Sequence, residues 1–286
     1  MKKLTQEIVE EWVREASGLF TKRDIWEDLD IGPGPNRDYL RTVLKRLRDA
    51  KLIAYVDGRH GAYRLLDVEL ERMSLARANP KNVLPIKWPF ELERYVKIFR
   101  KNIAVLFGSK DAGKTAFLLN LMRLNMDKFP IRYLNTDMGE EELRVRVEKF
   151  EDVTIEQWDK YIEMYEKAIV LPEHMNPDAI NIVDFLEIHD EFYKIGKPIK
   201  EWSAPLNNGI LVVAVQKNLD AEFPIGKARS LEKAKLAINL DPNKATLAVA
   251  KNWQDGIISS PKGKAWTYKL IGGAKFVNIQ ESFDDT

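Results

Sequence analysis

The chain has 286 residues, 45% of them hydrophobic and 31% charged, and its 45 Lys and Arg nearly cancel its 44 Asp and Glu. That length suits two domains on a prior of roughly 100–200 residues each, and a balanced charge leaves only local clusters to argue for nucleic acid. The absence of cysteine excludes disulfides and thiolate metal sites. His60, His174 and His189 lie too far apart in sequence to suggest zinc. No apolar run nears the ~20 residues of a membrane span, and the charged start MKKLTQEIVEEWV has no apolar signal region. The expectation is a cytoplasmic protein without membrane contact.

The first predicted helix covers 4–15, with Ile8, Val9, Trp12 and Val13 on one face. Thr21 reads as the N-cap of a short helix through Trp26 and Leu29, stopped by the turn cluster GPGPN at 32–36. A third helix runs from Asn36 to about Asp49, with Leu40, Val43, Leu44 and Leu47 inward. LIAYV (52–56), the turn DGRHG and AYRLL (62–66) predict a β-hairpin. Three helices and a hairpin in 1–70 resemble a winged helix-turn-helix domain.

Arg37, Arg41, Lys45 and Arg48 follow helical steps of four, four and three, so they share a face of the third helix. In a helix-turn-helix that face enters the major groove, where cations neutralise phosphates. Arg59 extends the set at the hairpin tip, beside His60. The expected partner is duplex DNA; the alternative is a docking face for another protein. Residues 71–96 carry Pro80, Pro85 and Pro89 and predict a stiff linker. Val83, Leu84, Ile86, Trp88 and Phe90 make it apolar enough to lie on the second domain, 97–286.

That domain opens with IAVLF (103–107), an apolar run suited to a buried parallel strand. Gly108-Ser109-Lys110-Asp111-Ala112-Gly113-Lys114-Thr115 follows, then the apolar helix AFLLNLMRLNM. The loop fits G-x-x-x-x-G-K-[ST] at every defined position, in the strand–loop–helix context that motif needs. Gly108 permits the turn and Gly113 lets the backbone approach phosphates. Successive N–H groups and the helix N-terminus surround the anion. Lys114 is expected at the β- and γ-phosphates of ATP and Thr115 on Mg²⁺.

Further strands are predicted at IRYLN (131–135), AIVLP (168–172), INIVDFL (180–186) and ILVVAV (210–215), with helices at 139–150 and 154–168. The alternation predicts a doubly wound parallel sheet. Asp184, near the end of an apolar strand, is a second candidate for Mg²⁺; the plainer role is capping a turn.

Four stretches then resemble the RecA-like ATPases, and among them the DnaB-type replicative helicases and their phage and plasmid relatives. They are GSKDAGKTAFLLN; NTDMGEEELRVR; NIVDFLEI followed by VVAVQKN; and KNWQDG with a closing strand ending GGAKF. They run in the family's order over about 84–280. The resemblance implies a RecA-like parallel-sheet P-loop ATPase core behind the winged helix-turn-helix domain. It also implies ATP and Mg²⁺ as cofactors, assembly into a homo-oligomer, and single-stranded DNA at the core.

By residue, the resemblance implies that Asp137, where the family has glutamate, polarises the attacking water, with Glu140 a nearby substitute. Capping the helix after Gly139 is the alternative for Asp137. Gln216 senses the γ-phosphate. Region 217–230 faces DNA through Lys217, Lys227 and Arg229, with Phe223 to stack on a base. A second loop, 189–209, offers Lys194, Lys197, Lys200 and Trp202. A solvated loop is the plain alternative for both. Lys251 matches a cation that reaches the neighbouring subunit's nucleotide. Trp253 stands where the family has its arginine, a residue worth about 10³–10⁵ in rate. The expected function is an ATP-dependent, helicase-like DNA-binding ATPase in replication or DNA processing of a mobile element. The alternative is a non-motor, ATP-gated regulator, partition factor or helicase-loading protein.

Overall fold

The computed structural model describes residues 4–16, 19–56, 61–66, 74–167, 169–186, 196–217 and 231–283. The chain divides into two compact units, Met1–Ala78 and Asn79–Thr286.

The first unit carries α1 (Gln6–Glu15), β1 (Leu19–Thr21), α2 (Lys22–Asp28), α3 (Pro35–Asp49), β2 (Ile53–Tyr55) and β3 (Ala62–Leu65). Thr21 caps α2 with a reciprocal capping box to Asp24. Val9, Val13, Ile25, Leu40, Val43, Leu44, Leu47 and Ile53 form a core at 0–1% exposure. The strands pair antiparallel in the order β1-β3-β2. Strand β1 was not foreseen, because three residues are too short for a periodicity to show.

The second unit holds a nine-stranded sheet. Its strands are β4 (Ile103–Gly108), β5 (Ile131–Asn135), β6 (Ile162–Glu166), β7 (Ile180–Leu186), β8 (Ile210–Gln216), β9 (Leu236–Asp241), β10 (Lys244–Ala250), β11 (Lys264–Ile271) and β12 (Lys275–Phe283). The order is β12-β11-β10-β9-β4-β8-β7-β5-β6. From β9 to β6 the pairs are parallel; β9 to β12 form an antiparallel meander. The helices are α4 (Lys114–Asn125), α5 (Glu140–Val147), α6 (Ile155–Tyr161) and α7 (Gly196–Ser203).

Three expectations change. The helix expected over 154–168 ends at Tyr161, and IEMYE becomes the strand in place of AIVLP. IEMYE places Ile162 inward and half-buries Met164, and an edge strand tolerates its glutamates. GGAKF does not end a strand; Gly272 and Gly273 form the turn between β11 and β12, at φ +60° and +67°. The expected loop at 189–209 contains α7, whose Trp202 is buried and donates its indole N–H to the Val170 carbonyl at 3.1 Å. Trp202 is therefore core, while Lys194 lies outside the described residues.

The proline-rich stretch is fastened down. Asn125 on α4 accepts from the Lys87 N–H at 2.9 Å and donates to the Lys87 carbonyl at 2.7 Å. Phe90 packs among Phe117, Trp266, Tyr268 and Phe276, with ring centroids 5.0–6.0 Å away. Phe90 and Glu91 both take positive φ, 63° and 54°, to seat that ring. Backbone strain of this kind persists where surrounding packing enforces it.

Candidate functional site

Strand β4 is buried along its whole length, and at its end the chain turns into the loop that precedes α4. Gly108 is needed here for close approach more than for the turn. A Cβ at this position would lie 2.4 Å from the Leu240 carbonyl oxygen of neighbouring β9. Asp111 and Gly113 take left-handed backbone, at φ +60° and +93°. No side chain caps α4, so its first N–H groups remain for an anion.

The loop is braced from outside its own sequence. The Tyr268 hydroxyl lies 3.2 Å from the Ala112 carbonyl, and Asn120 of α4 donates to the Ala274 carbonyl at 2.7 Å. Leu270 and Phe276, on either side of the β11–β12 turn, pack toward Gly113.

A cavity of about 660 Å³ opens above the loop. Lys110, Asp111, Gly113, Lys114 and Thr115 line it, joined by Asp137, Arg146, Lys149, Asp184, Gln216 and the β11–β12 turn. Gly108, Ser109 and Ala112 are buried beneath it. Lys114 is 8% exposed and donates to the Gly108 and Ser109 carbonyls at 3.0 and 2.7 Å. Burial pulls its pKa below the usual lysine value, while Asp184 and Asp111 oppose that pull.

Asp184 is 3% exposed. It accepts hydrogen bonds from the Tyr133 hydroxyl, at 2.7 Å, and from Thr115. Burial raises its pKa above 3.8 despite these donors and the nearby Lys114 and Arg146. Thr115 and Asp184 thus meet beside Lys114, a hydroxyl and a carboxylate that fit Mg²⁺ completed by waters and phosphate oxygens. Among the described residues no group of three or more His, Cys, Asp or Glu could hold a metal alone. A magnesium ion bound at Thr115 and Asp184 would neutralise phosphate charge.

Asp137 is placed by Asn135. The Asn135 Oδ1 accepts the Asp137 and Met138 N–H groups, each at 3.1 Å, and its amide donates to the Met138 carbonyl. Asp137 does not cap α5; Gly139 is the N-cap and no side chain bonds there. Glu140 lines a separate cavity, with Trp158 and Met164, and not the one above the phosphate loop. Gln216 pairs with Gly108 across β4 and β8 and reaches the cavity.

Other candidates fall away from the site. Lys217 is 4% exposed and pairs with Asp241 at 2.6 Å, which removes it from any DNA-facing set. Lys227 and Arg229, with Phe223, lie outside the described residues, as does Arg59. Lys251 is exposed and donates to the Glu232 carbonyl at 3.1 Å; it does not line the cavity. Trp253 donates its indole N–H to the Ala250 carbonyl at 2.8 Å. On α3, Arg41 and Lys45 are exposed, Arg48 lies over the Tyr55 ring, and Arg37 stacks on Trp26 at 4.2 Å.

Sequence reasoning passed over Lys149 as a site residue and took Arg146 only as a matching position. The signal was available: both are cations three residues apart, at the end of the helix that Asp137 precedes.

Together, the fold and site define an α/β unit with a large, mostly parallel sheet and a phosphate loop between a central strand and a helix. This is the arrangement of a RecA-like core. No family model matches the chain, and no curated protein matches it. Among solved structures it is similar to an isolated ATPase domain, with TM-score 0.48 and 16% identity, over 87% of this chain and 100% of that one. It is similar to a DnaB-like replicative helicase whose structure describes its interactions with primase, with TM-score 0.47 and 15% identity, over 87% and 68% of the two chains. The RadB recombinase gives TM-score 0.43 and 13% identity, over 60% and 88%. Among the described residues no helix is long and apolar enough to cross a membrane.

Proposed function

We propose that this chain is an ATP-dependent, DNA-binding RecA-like ATPase acting in replication or DNA processing of a mobile element. One observation carries the reading. Lys114, Thr115, Asp137, Asp184 and Gln216 come from separate segments at the same ends of parallel strands and converge on one cavity. Ligands of open α/β sheets sit at the carboxyl ends of the strands. Lys114 and the loop amides bind the phosphates of ATP. Thr115 and Asp184 hold Mg²⁺. Asp137 orients the water, and Gln216 reads the terminal phosphate.

DNA is the partner the first unit supports, read as a winged helix-turn-helix domain. Its α3 presents Arg41 and Lys45 to solvent, and stacking on Trp26 and Tyr55 orients Arg37 and Arg48. The expected result is ATP hydrolysis stimulated by DNA. Lys114→Ala abolishes it and leaves duplex binding intact. Arg41→Glu with Lys45→Glu removes duplex binding and leaves ATP binding intact. Undiminished ATP turnover in Lys114→Ala refutes the site.

A second reading, a non-motor ATP-gated regulator or loading factor, is favoured by one feature. The position of the expected arginine is Trp253, and its indole bonds within its own chain. ATP-dependent duplex binding without separation of a forked duplex supports this reading. Unwinding supports the helicase-like one.

A further inference from the structure

We propose that Arg146 and Lys149 supply, from the same chain, the positive charge that terminal-phosphate transfer needs, so that hydrolysis requires no cation from a neighbouring copy. This rests on the ATP site proposed above.

The two residues share one face. Arg146 lies in the last turn of α5, and the Lys149 N–H donates to the Arg146 carbonyl at 3.3 Å, so the turn continues. Both line the cavity of Lys114, Thr115 and Asp184. Arg146 is half-buried and held by Glu142 at 2.7 Å. Its charge is felt by both Asp184 and Tyr133. Lys149 crosses the cavity mouth and donates to the Gly272 carbonyl in the β11–β12 turn. A Cβ on Gly272 would meet the Lys149 Cδ at 3.2 Å, so the lysine stem lies directly against that turn.

The positions that would act on a neighbour are engaged at home. Lys251 bonds to the Glu232 carbonyl and Trp253 to the Ala250 carbonyl, and the Trp253 backbone bridges to Val96. The cavity wall itself holds four cations, Lys110, Lys114, Arg146 and Lys149, against the three carboxylates Asp111, Asp137 and Asp184.

The chemistry needs such charge. Water oxygen bonds to the terminal phosphorus as the bond from phosphorus to the β–γ bridging oxygen breaks. ADP leaves with inorganic phosphate, and the water proton passes to Asp137 and then to solvent. Negative charge grows on the bridging and terminal oxygens in that step. A guanidinium fixed by Glu142 offsets it without reorganising. Lys149 exchanges the Gly272 carbonyl for phosphate oxygen, which draws α5 and the β11–β12 turn together over the nucleotide.

The test uses the full chain. Arg146→Gln keeps a hydrogen-bonding partner for Glu142 and a good helix former. It should lower kcat about a hundredfold or more and shift the Kd for ATP much less. Lys149→Ala should weaken ATP binding about tenfold, with recovery in Lys149→Arg. The double variant is then mixed with excess Lys114→Ala protein, which carries intact Arg146 and Lys149 but cannot bind phosphate normally. No recovery of hydrolysis is expected. Recovery on mixing, or a wild-type kcat in the double variant, overturns the proposal. Absence of ATP binding in the wild-type chain overturns the underlying site as well, and is distinguished because every variant is then equally silent.

Discussion

Tyr133 and Asp184 face each other inside the sheet, the phenol donating to the carboxylate at 2.7 Å from the strand next door. Both are buried. The contact holds one oxygen of the carboxylate while Thr115 approaches it from the phosphate loop. Burial pushes the Tyr133 pKa well up, with Asp184 adding to the effect, so the phenol stays a donor at every physiological pH.

Asp184 therefore trades stability for charge. Its folded pKa stands above its ordinary 3.8, so ionisation in the folded chain costs stability as pH rises through the folded value. Below 3.8 both states are protonated and the cost disappears. Asp184→Asn has no such cost. Denaturation from about pH 4 to about pH 7 should show the variant gaining on the wild type as pH rises, by on the order of 1 kcal/mol. ATP hydrolysis should be lost throughout. A gap that is flat with pH, or that moves the other way, refutes the burial argument.

Gly108→Ala tests the approach of β9 to the phosphate loop. The new methyl would lie 2.4 Å from a backbone oxygen, which cannot swing aside as a side chain can. The parallel β4–β9 pair must separate, with a cost of at least about 1–3 kcal/mol. Gly32→Ala, where nothing lies within 4 Å, is the control and should change little. Denaturation midpoints of the two variants decide the matter.

Asn135→Ala removes the acceptor that fixes the Asp137 and Met138 amides. The phosphate loop is untouched, so KM for ATP should stay within a few fold. Misplacing Asp137 should lower kcat by about 10²-fold. Asn135→Asp keeps an acceptor and should recover part of the rate. Equal changes in KM and kcat would assign Asn135 to binding.

The phosphate loop was legible in the sequence because its motif is local: eight consecutive residues between an apolar strand and an apolar helix. Leu40, Val43, Leu44 and Leu47 were legible for a similar reason, since helical spacing states which side faces in. What was missed depends on contacts distant in sequence. IEMYE read as the tail of a helix because its strand character comes from pairing with β5. Lys217 read as a DNA contact because its partner, Asp241, lies on another strand. The true constraint on Gly108 is the Leu240 carbonyl, which no local pattern announces.

The brace beneath the phosphate loop has a consequence for synthesis. Tyr268 is 156 residues from Ala112, and Ala274 is 154 residues from Asn120. A ribosome making about 5–20 residues per second finishes the motif many seconds before it delivers the brace. The strand, loop and helix emerge early, yet the surface they rest on is among the last parts of the sheet to exist. Competence to hold a nucleotide is thus a late event in the life of the nascent chain, and a chain ending before Lys264 would carry the whole motif without its support.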